Sequence, residues 1–369
     1  MNTLLNRDQN SQEQGLTLIE LLVTLAIASI IALAVSEGFI FGEWNFLQDQ
    51  TTDNIVNSDR YALQVISSYL TNAGYGFSDI GCQNLSAYEQ GSVRAVSAIT
   101  VSPSGTPTSS TPPPVSLTII RSRSDYAGIP VGQMVQGPQP ASASFHISAN
   151  TSGNQATCPS MIQGGNTLIA AFPQNQCALI TATSAPVLNG QGSCTVPYST
   201  GKNGGGTLST LLPNLTSAEM EDAAVYVMGK PALTTTTFSV TARTAAQPGT
   251  LQISTNSGQP SLFAHHIDDM QILFGYNPSG GKTVTRYGYY APQYAQDIRT
   301  ASIALVASSR IKIASIVAPT KIPLFPAIPA DESITGHALP ALYYRPPAGT
   351  THQPINVMRA TVPVMNQIW

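Results

Sequence analysis

Charge is what this 369-residue chain has least of: only 9% of its residues are Asp, Glu, Lys or Arg. Sixteen Lys and Arg stand against nineteen Asp and Glu, a net charge of −3, and the bases form no run. This argues against nucleic acid as a partner, since phosphate contacts need a basic patch or stripe. Frames for chemistry are also missing. There is no GxSxG around a serine, and "YSTGKNGGGT" puts Lys202 among glycines without the GxxxxGK[ST] spacing of a phosphate loop. No DxDxDG-like calcium run and no CxxC pair occur. No catalytic residue, metal site or cofactor is expected. What fills the chain is Ser, Thr, Gly, Pro, Asn and Gln, the composition of a secreted, loop-rich β protein.

Cysteine is scarce but even in number: Cys82, Cys158, Cys177 and Cys194. Wide, irregular spacing fits disulfides in an oxidising compartment better than a zinc site. Three pairings are possible, and short loop closure leans towards 177–194 with 82–158.

One run is apolar from end to end save for a single carboxylate: "GLTLIELLVTLAIASIIALAV", residues 15–35. Twenty residues from Leu16 to Val35 make a helix of about 30 Å, the thickness of a bilayer core. Ala32-Leu33-Ala34 offers a small-x-small site for a signal peptide, but the h-region would be too long. The leader offers only Arg7 against Asp8 and Glu13, which is weak support for a simple positive-inside anchor. Neither reading explains Glu20. A carboxylate at this depth costs several kcal/mol unless paired or protonated, and the segment supplies no cation. A cut between Gly15 and Leu16 would create an α-ammonium, and a neighbouring copy could bring it to Glu20.

This "G-LTLIE" followed by an apolar helix resembles the class III leader of type IV pilins and type II secretion pseudopilins. The resemblance implies that a prepilin peptidase cuts after Gly15, that Leu16 becomes the N-methylated terminus, and that Glu20 is the fifth-position glutamate used in assembly. Leu16 stands where the family usually has Phe, and Glu13-Gln14 where a base often precedes the glycine.

Beyond Val35 the helix continues. Ile55, Val56, Ala62, Ile66, Tyr69, Leu70 and Ala73 recur at helical spacing, and no proline occurs between Leu16 and Gly74. Gly38 and Gly42 are the only soft points. Gly74 suits the left-handed position just past a helix end. The exit "DRYALQVISSYLTNAGYGFSDIGC" resembles that of PilW-type minor pilins, matching at Arg60, Ala73-Gly74-Tyr75 and Gly81-Cys82.

After Cys82 the pattern is strand and loop. "SVRAVSAITV" and "VSLTIIRSRS" read as strands on either side of an exposed proline-rich loop near residues 102–115. "NTLIAAF" and "CALITAT" are a further pair around the turn "PQNQ", and "YSTGKNGGGT" reads as flexible. "HIDDMQILFGYN", "KTVTRYGYY" and "RTASIALVAS" are three successive strands, the first two joined by the turn "NPSGG". This block and the closing "MRATVPVMNQIW" also resemble PilW-type proteins. His265-His266 with Asp268 and Asp269 would be split between two strand faces, so a polar strand entry is expected there rather than a metal cluster. His146, His337 and His352 stand alone in loop-like sequence, and "RSRSD" (121–125) reads as a solvated strand end.

The expected fold is α+β: a long N-terminal pilin helix, its first half transmembrane, packed on a large β-rich head. The expected divisions are a leader (1–15, removed), a transmembrane and filament-core helix (16–36), an amphipathic helix packing on the head (37–73) and the head itself (74–369). The resemblance implies a minor pilin of low copy number, held first in the inner membrane with its N-terminus cytoplasmic and later displayed on a pilus. Its partners would be the prepilin peptidase, other minor and major pilins and the inner-membrane assembly platform. A J-type pseudopilin of a type II secretion system and a pilus-tip adhesin, with "RYGYYAPQY" as a contact surface, are the alternatives.

Overall fold

The computed structural model describes residues 18–364, apart from residues 78, 79, 81, 83, 90, 91, 106, 108–110, 123–128, 137–142, 153, 154, 174, 175, 200–207, 217, 222, 231, 232, 245, 246, 310, 312, 314–316 and 351. The chain divides into two compact units, Met1–Asp53 and Asn54–Trp369. The first is helical throughout its described part; the second holds the end of that helix and all of the β structure.

A single helix, α1, runs Leu18–Thr71. Within the second unit it buries Ile55, Asp59, Ala62, Ile66 and Leu70, a stripe at intervals of three and four residues. Ile55 is the first buried residue of this stripe. The helix stops where the sequence says it should: Gly74 takes φ 78°, and its N–H donates to Ile120 O at 2.8 Å.

Among the described residues the strands form three larger sheets and two two-stranded ones, Ile322–Phe325 with Leu342–Tyr344 and Asn150–Ser152 with Gln155–Thr157. In the nine-stranded sheet the order is Val187–Leu188, Ser193–Ser199, Ser144–Ser148, Ile129–Gln136, Ala224–Gly229, Thr167–Phe172, Gln176–Ala182, Asn84–Glu89, Ser92–Val96. A further pairing, Thr181↔Ser199 and Ala182↔Tyr198, joins two of these strands directly. Six antiparallel strands thereby close into a barrel. Closure leaves those six without a free edge over the joined stretch. Phe145, Ile147, Val196, Leu168, Ile180 and Val225 fill this core, with Leu208, Leu211 and Leu212 packed among them. Tyr198 carries a hydroxyl into it, and that oxygen accepts the Leu208 N–H at 3.0 Å.

The five-stranded sheet, ordered Ser261–His265, Thr250–Thr255, Leu233–Thr241, Ser116–Ser122, Ile99–Ser102, shares a core with the helix stripe. So does one face of the four-stranded sheet, ordered Arg286–Gly288, Ile267–Tyr276, Ile298–Ser308, Ile355–Pro363. Its other face sends Leu273, Ala304 and Val306 into a third cluster with Leu324, Phe325 and Leu342. Covered on both sides, Ile267–Tyr276 is buried at all ten positions.

Several expectations change. "SVRAVSAITV" is two strands in two sheets, because the chain leaves one ladder at Ser97-Ala98, where Ala98 O accepts from Ile120 N, and enters the other. Residues 92–95 are exposed, whereas Ile99 and Val101 are core. The described part of the proline-rich loop is exposed at 102–105, as expected, and is also tied to the head: Gly105 N donates to Tyr290 O, Gln271 Nε2 to Pro113 O and Val115 N to Met270 O. Within "RYGYYAPQY", Gly288, Tyr289, Tyr290 and Ala291 are buried while Tyr287, Pro292 and Gln293 are exposed, and Pro292–Asp297 forms a 3-10 turn. His146 lies in a strand, Ser144–Ser148. "YSTGKNGGGT" falls largely outside the described residues.

The disulfides are Cys82–Cys177 and Cys158–Cys194, so the leaning towards 177–194 with 82–158 is corrected. Side-chain alternation is the reason. Ala178, Ile180 and Ala182 point into the barrel with Cys194, while Cys177 points to the core shared with the helix. Short loop closure cannot join two cysteines that face different cores. Non-reducing peptide mapping should recover these two linkages, and Cys158→Ser/Cys194→Ser should cost about 3 kcal/mol in urea unfolding. A 177–194 crosslinked peptide would contradict the structure.

Candidate functional site

Gly15 and Leu16 lie outside the described residues. Glu20 is described, in the first turn of α1. It is the only charged residue between Leu18 and Ser36. Around it the helix presents hydrocarbon outward, with Leu18, Leu22, Leu25 and Ile30 all more than half exposed. The hydroxyls in this segment are satisfied within the helix: Thr24 Oγ1 donates to Leu21 O, Ser29 Oγ to Ala26 O and Ser36 Oγ to Ala32 O, at 2.7–2.9 Å. Such back-bonding makes serine and threonine tolerable in hydrocarbon. Glu20 makes no such bond and has no ion pair among the described residues. Burying this surface among apolar neighbours would require a cation or a proton for its one carboxylate.

α1 is long and apolar enough in its N-terminal part to cross a membrane, and none of that stretch is buried among the described residues. Residues 10–36 match the family model described as the prokaryotic N-terminal methylation motif. No curated protein and no solved structure was found to match the chain. The motif and the long apolar helix that begins within it support a type IV pilin-like protein, pointing to a structural rather than an enzymatic one. The motif implies processing by prepilin peptidase, and the apolar helix fits membrane anchoring near the N-terminus.

The acids of the head are not where a polar strand entry would put them. His266 has φ 67° and separates the strand ending at His265 from the one starting at Ile267, so the expected alternation across 265–269 is broken. Asp268 is buried and pairs with Arg243 (Nη1–Oδ2 3.2 Å). It also accepts from Ser308 Oγ, from Gly249 N at 2.9 Å and from Tyr344 Oη at 3.3 Å. Arg243 further donates to Ser308 Oγ, Gln353 Oε1 and Ser309 O. Burial lifts the Asp268 carboxyl above its ordinary range against the lowering by Ser308 and Arg243. Asp269, whose Oδ1 accepts from Gln271 Nε2 at 2.9 Å, is pushed up to about 7, again chiefly by burial. This network ties the strand starting at Ile267 to loops around 243, 249 and 353. No group of three or more His, Cys, Asp or Glu with metal-holding geometry occurs among the described residues.

Sequence reasoning passed over Asp59. It is fully buried on α1; Asn356 Nδ2, on the terminal strand Ile355–Pro363, donates to its Oδ2 at 2.9 Å, and its Oδ1 has no partner. The signal was present: 55, 59, 62, 66 and 70 is an unbroken helical stripe with an acid at its second position. Burial pushes Asp59 up to about 7, opposed by the Asn356 bond. The folded pKa thus lies above the unfolded one, so the neutral acid is favoured in the fold. The stabilisation linked to this proton is fully present below about pH 4 and is lost as pH rises towards about 7. Asp59→Asn keeps an acceptor for Asn356 and cannot ionise. Chemical denaturation at pH 4 and 7 should show a smaller stability loss for the variant than for wild type. An equal loss in both would mean that Asp59 does not titrate in this range.

Proposed function

We propose that this chain is a minor pilin of a type IV pilus, processed between Gly15 and Leu16, methylated at Leu16 and incorporated at low copy number to promote assembly. The observation that carries the reading is the lone Glu20, without a partner among the described residues, on the apolar, outward-facing part of α1 that lies within the methylation-motif match. In the membrane that surface meets lipid, and in a filament it meets neighbouring helices. Extraction exchanges one apolar neighbour for another, leaving the assembly platform to drive the remainder. Glu20 then pairs with the N-terminal amine of an adjacent subunit. Such a buried pair adds little net stability, but an unmatched charge costs several kcal/mol, so it penalises wrong register.

The size of the head supports low copy number. Residues 74–369 form three packed cores and a closed barrel, too bulky to repeat along a shaft and better accommodated at a tip with other minor pilins. The PilW-like exit at Arg60, Ala73-Gly74-Tyr75 and Gly81-Cys82 favours the pilus branch over a J-type secretion pseudopilin. Localisation follows: inner membrane before assembly, pilus and cell surface after it.

Surface pilus counts in a deletion strain test this directly. Wild-type complementation should restore piliation, and Glu20→Ala should not, although its head folds normally. Unchanged piliation in the deletion strain would reject the assembly role and turn attention to export by a secretion pseudopilin, while full rescue by Glu20→Ala would reject the role of Glu20.

A further inference from the structure

At one edge of the nine-stranded sheet, the strands Val187–Leu188 and Ser193–Ser199 are joined by the turn Asn189-Gly190-Gln191-Gly192. In an Asn-Gly pair the backbone amide reaches the preceding side chain most readily, because glycine puts no Cβ beside its nitrogen. Here the asparagine amide is held at both of its polar ends. Its Oδ1 accepts from Ser193 N at 2.9 Å and from Gln191 N at 3.0 Å. Its Nδ2 donates to Ser193 Oγ at 2.6 Å and lies 3.3 Å from His146 Nδ1. His146 comes from the neighbouring strand Ser144–Ser148, opposite Thr195, whose Oγ1 lies 3.2 Å from the same Nδ1. Asn189 and His146 are half-buried, and Gly190 is exposed.

Each contact falls where attack on an amide needs it. Two backbone N–H groups on Oδ1 stabilise the charge that develops on that oxygen as Cγ becomes tetrahedral, the arrangement of an oxyanion hole. Nδ2 is the leaving nitrogen. In the planar amide it only donates, but it turns basic once Cγ is tetrahedral. A protonated His146 Nδ1 is then within reach to deliver a proton to it. The nucleophile, Gly190 N, has no side chain to shield it. An Asx turn accounts for the two Oδ1 bonds, but it leaves the imidazole beside the leaving nitrogen unexplained.

We propose that Asn189-Gly190 is a self-modification site at which the fold promotes deamidation. The bond from Gly190 N to Asn189 Cγ forms as that nitrogen gives its proton to water. The Cγ–Nδ2 bond breaks, its electron pair leaves with the nitrogen, and His146 supplies the proton that completes ammonia. Water then opens the succinimide to aspartate or isoaspartate, nothing is oxidised or reduced, and His146 recovers a proton from solvent. The product is a carboxylate beside His146, on a turn flanked by exposed Val187 and Leu188. Charge at this sheet edge would therefore accumulate with the age of the molecule. The site lies in the head and does not rest on the pilin reading.

The test follows residue 189 by peptide mass spectrometry in full-length protein in detergent, kept folded or unfolded in guanidinium chloride, with isoaspartate and aspartate separated by chromatography. Conversion should be at least about tenfold faster in the folded protein. His146→Gln keeps an acceptor for Nδ2 but cannot protonate it, and should slow conversion about tenfold or more; the full span for a positioned proton donor is larger, but water also protonates the leaving ammonia. Gly190 does not have a left-handed backbone, and a Cβ there would meet nothing within 4 Å. Gly190→Ala should therefore keep the wild-type melting temperature while shielding the nucleophile and slowing conversion several-fold. An amide that persists in the folded protein, or converts no faster than in the unfolded one, overturns the proposal: the turn would then be a clamp that keeps Cγ from Gly190 N. An unchanged rate in either variant, with the wild-type melting temperature, overturns it as well.

Discussion

Burial of one helical stripe organises the head. Ile55, Ala62, Ile66 and Leu70 of α1 are fully or almost fully removed from solvent, and the cluster they enter draws side chains from the five-stranded sheet, the four-stranded sheet and the outer face of the barrel. Large apolar side chains buried this completely contribute roughly 1.5–3 kcal/mol each, an upper bound given the compactness of real unfolded chains. The helix is the common wall of three β units.

The same helix satisfies two solvents. From Leu18 to Ser36 its apolar surface faces outward and its hydroxyls bond back to carbonyls, while from Ile55 onward the apolar positions narrow to a stripe. One backbone form serves both because an α-helix closes its own hydrogen bonds and leaves only side chains to choose a neighbour. Two acids break the apolar surfaces, Glu20 in the outward part and Asp59 in the packed part. Among the described residues Glu20 lacks a partner, whereas Asp59 has half of one.

Much of this was legible in the residues. The helix, its end at Gly74, most of the strand candidates and the methylation motif all follow from local pattern: a 3.6-residue stripe, a left-handed glycine, β-branched runs. Less legible was whatever depends on which strand lies beside which. The pairing of Cys82 with Cys177 is set by a parallel neighbour 95 residues away, and barrel closure rests on two residue pairs, Thr181↔Ser199 and Ala182↔Tyr198. Asp268 looked exposed because acids usually are, yet a strand covered on both faces has nowhere to put it but inside, and Arg243 comes from a separate segment to meet it. Arg121 looked like a solvated strand end, since sequence does not reveal the Tyr69 ring that its guanidinium lies over, 4.2 Å away.

The Cys82–Cys177 bond has a mechanical meaning. It joins the first residues after the helix exit to a barrel strand, and the intervening chain includes the proline-rich loop, two strands of the five-stranded sheet and half of the barrel. Tension along α1 passes from Cys82 across the sulfurs to the strand at Cys177. The bypassed stretch, on the order of 300 Å if drawn out, stays slack under load. A pull applied along α1 would find the chain inextensible over that stretch for as long as the bond is oxidised, and reduction would turn a stiff link into a long tether.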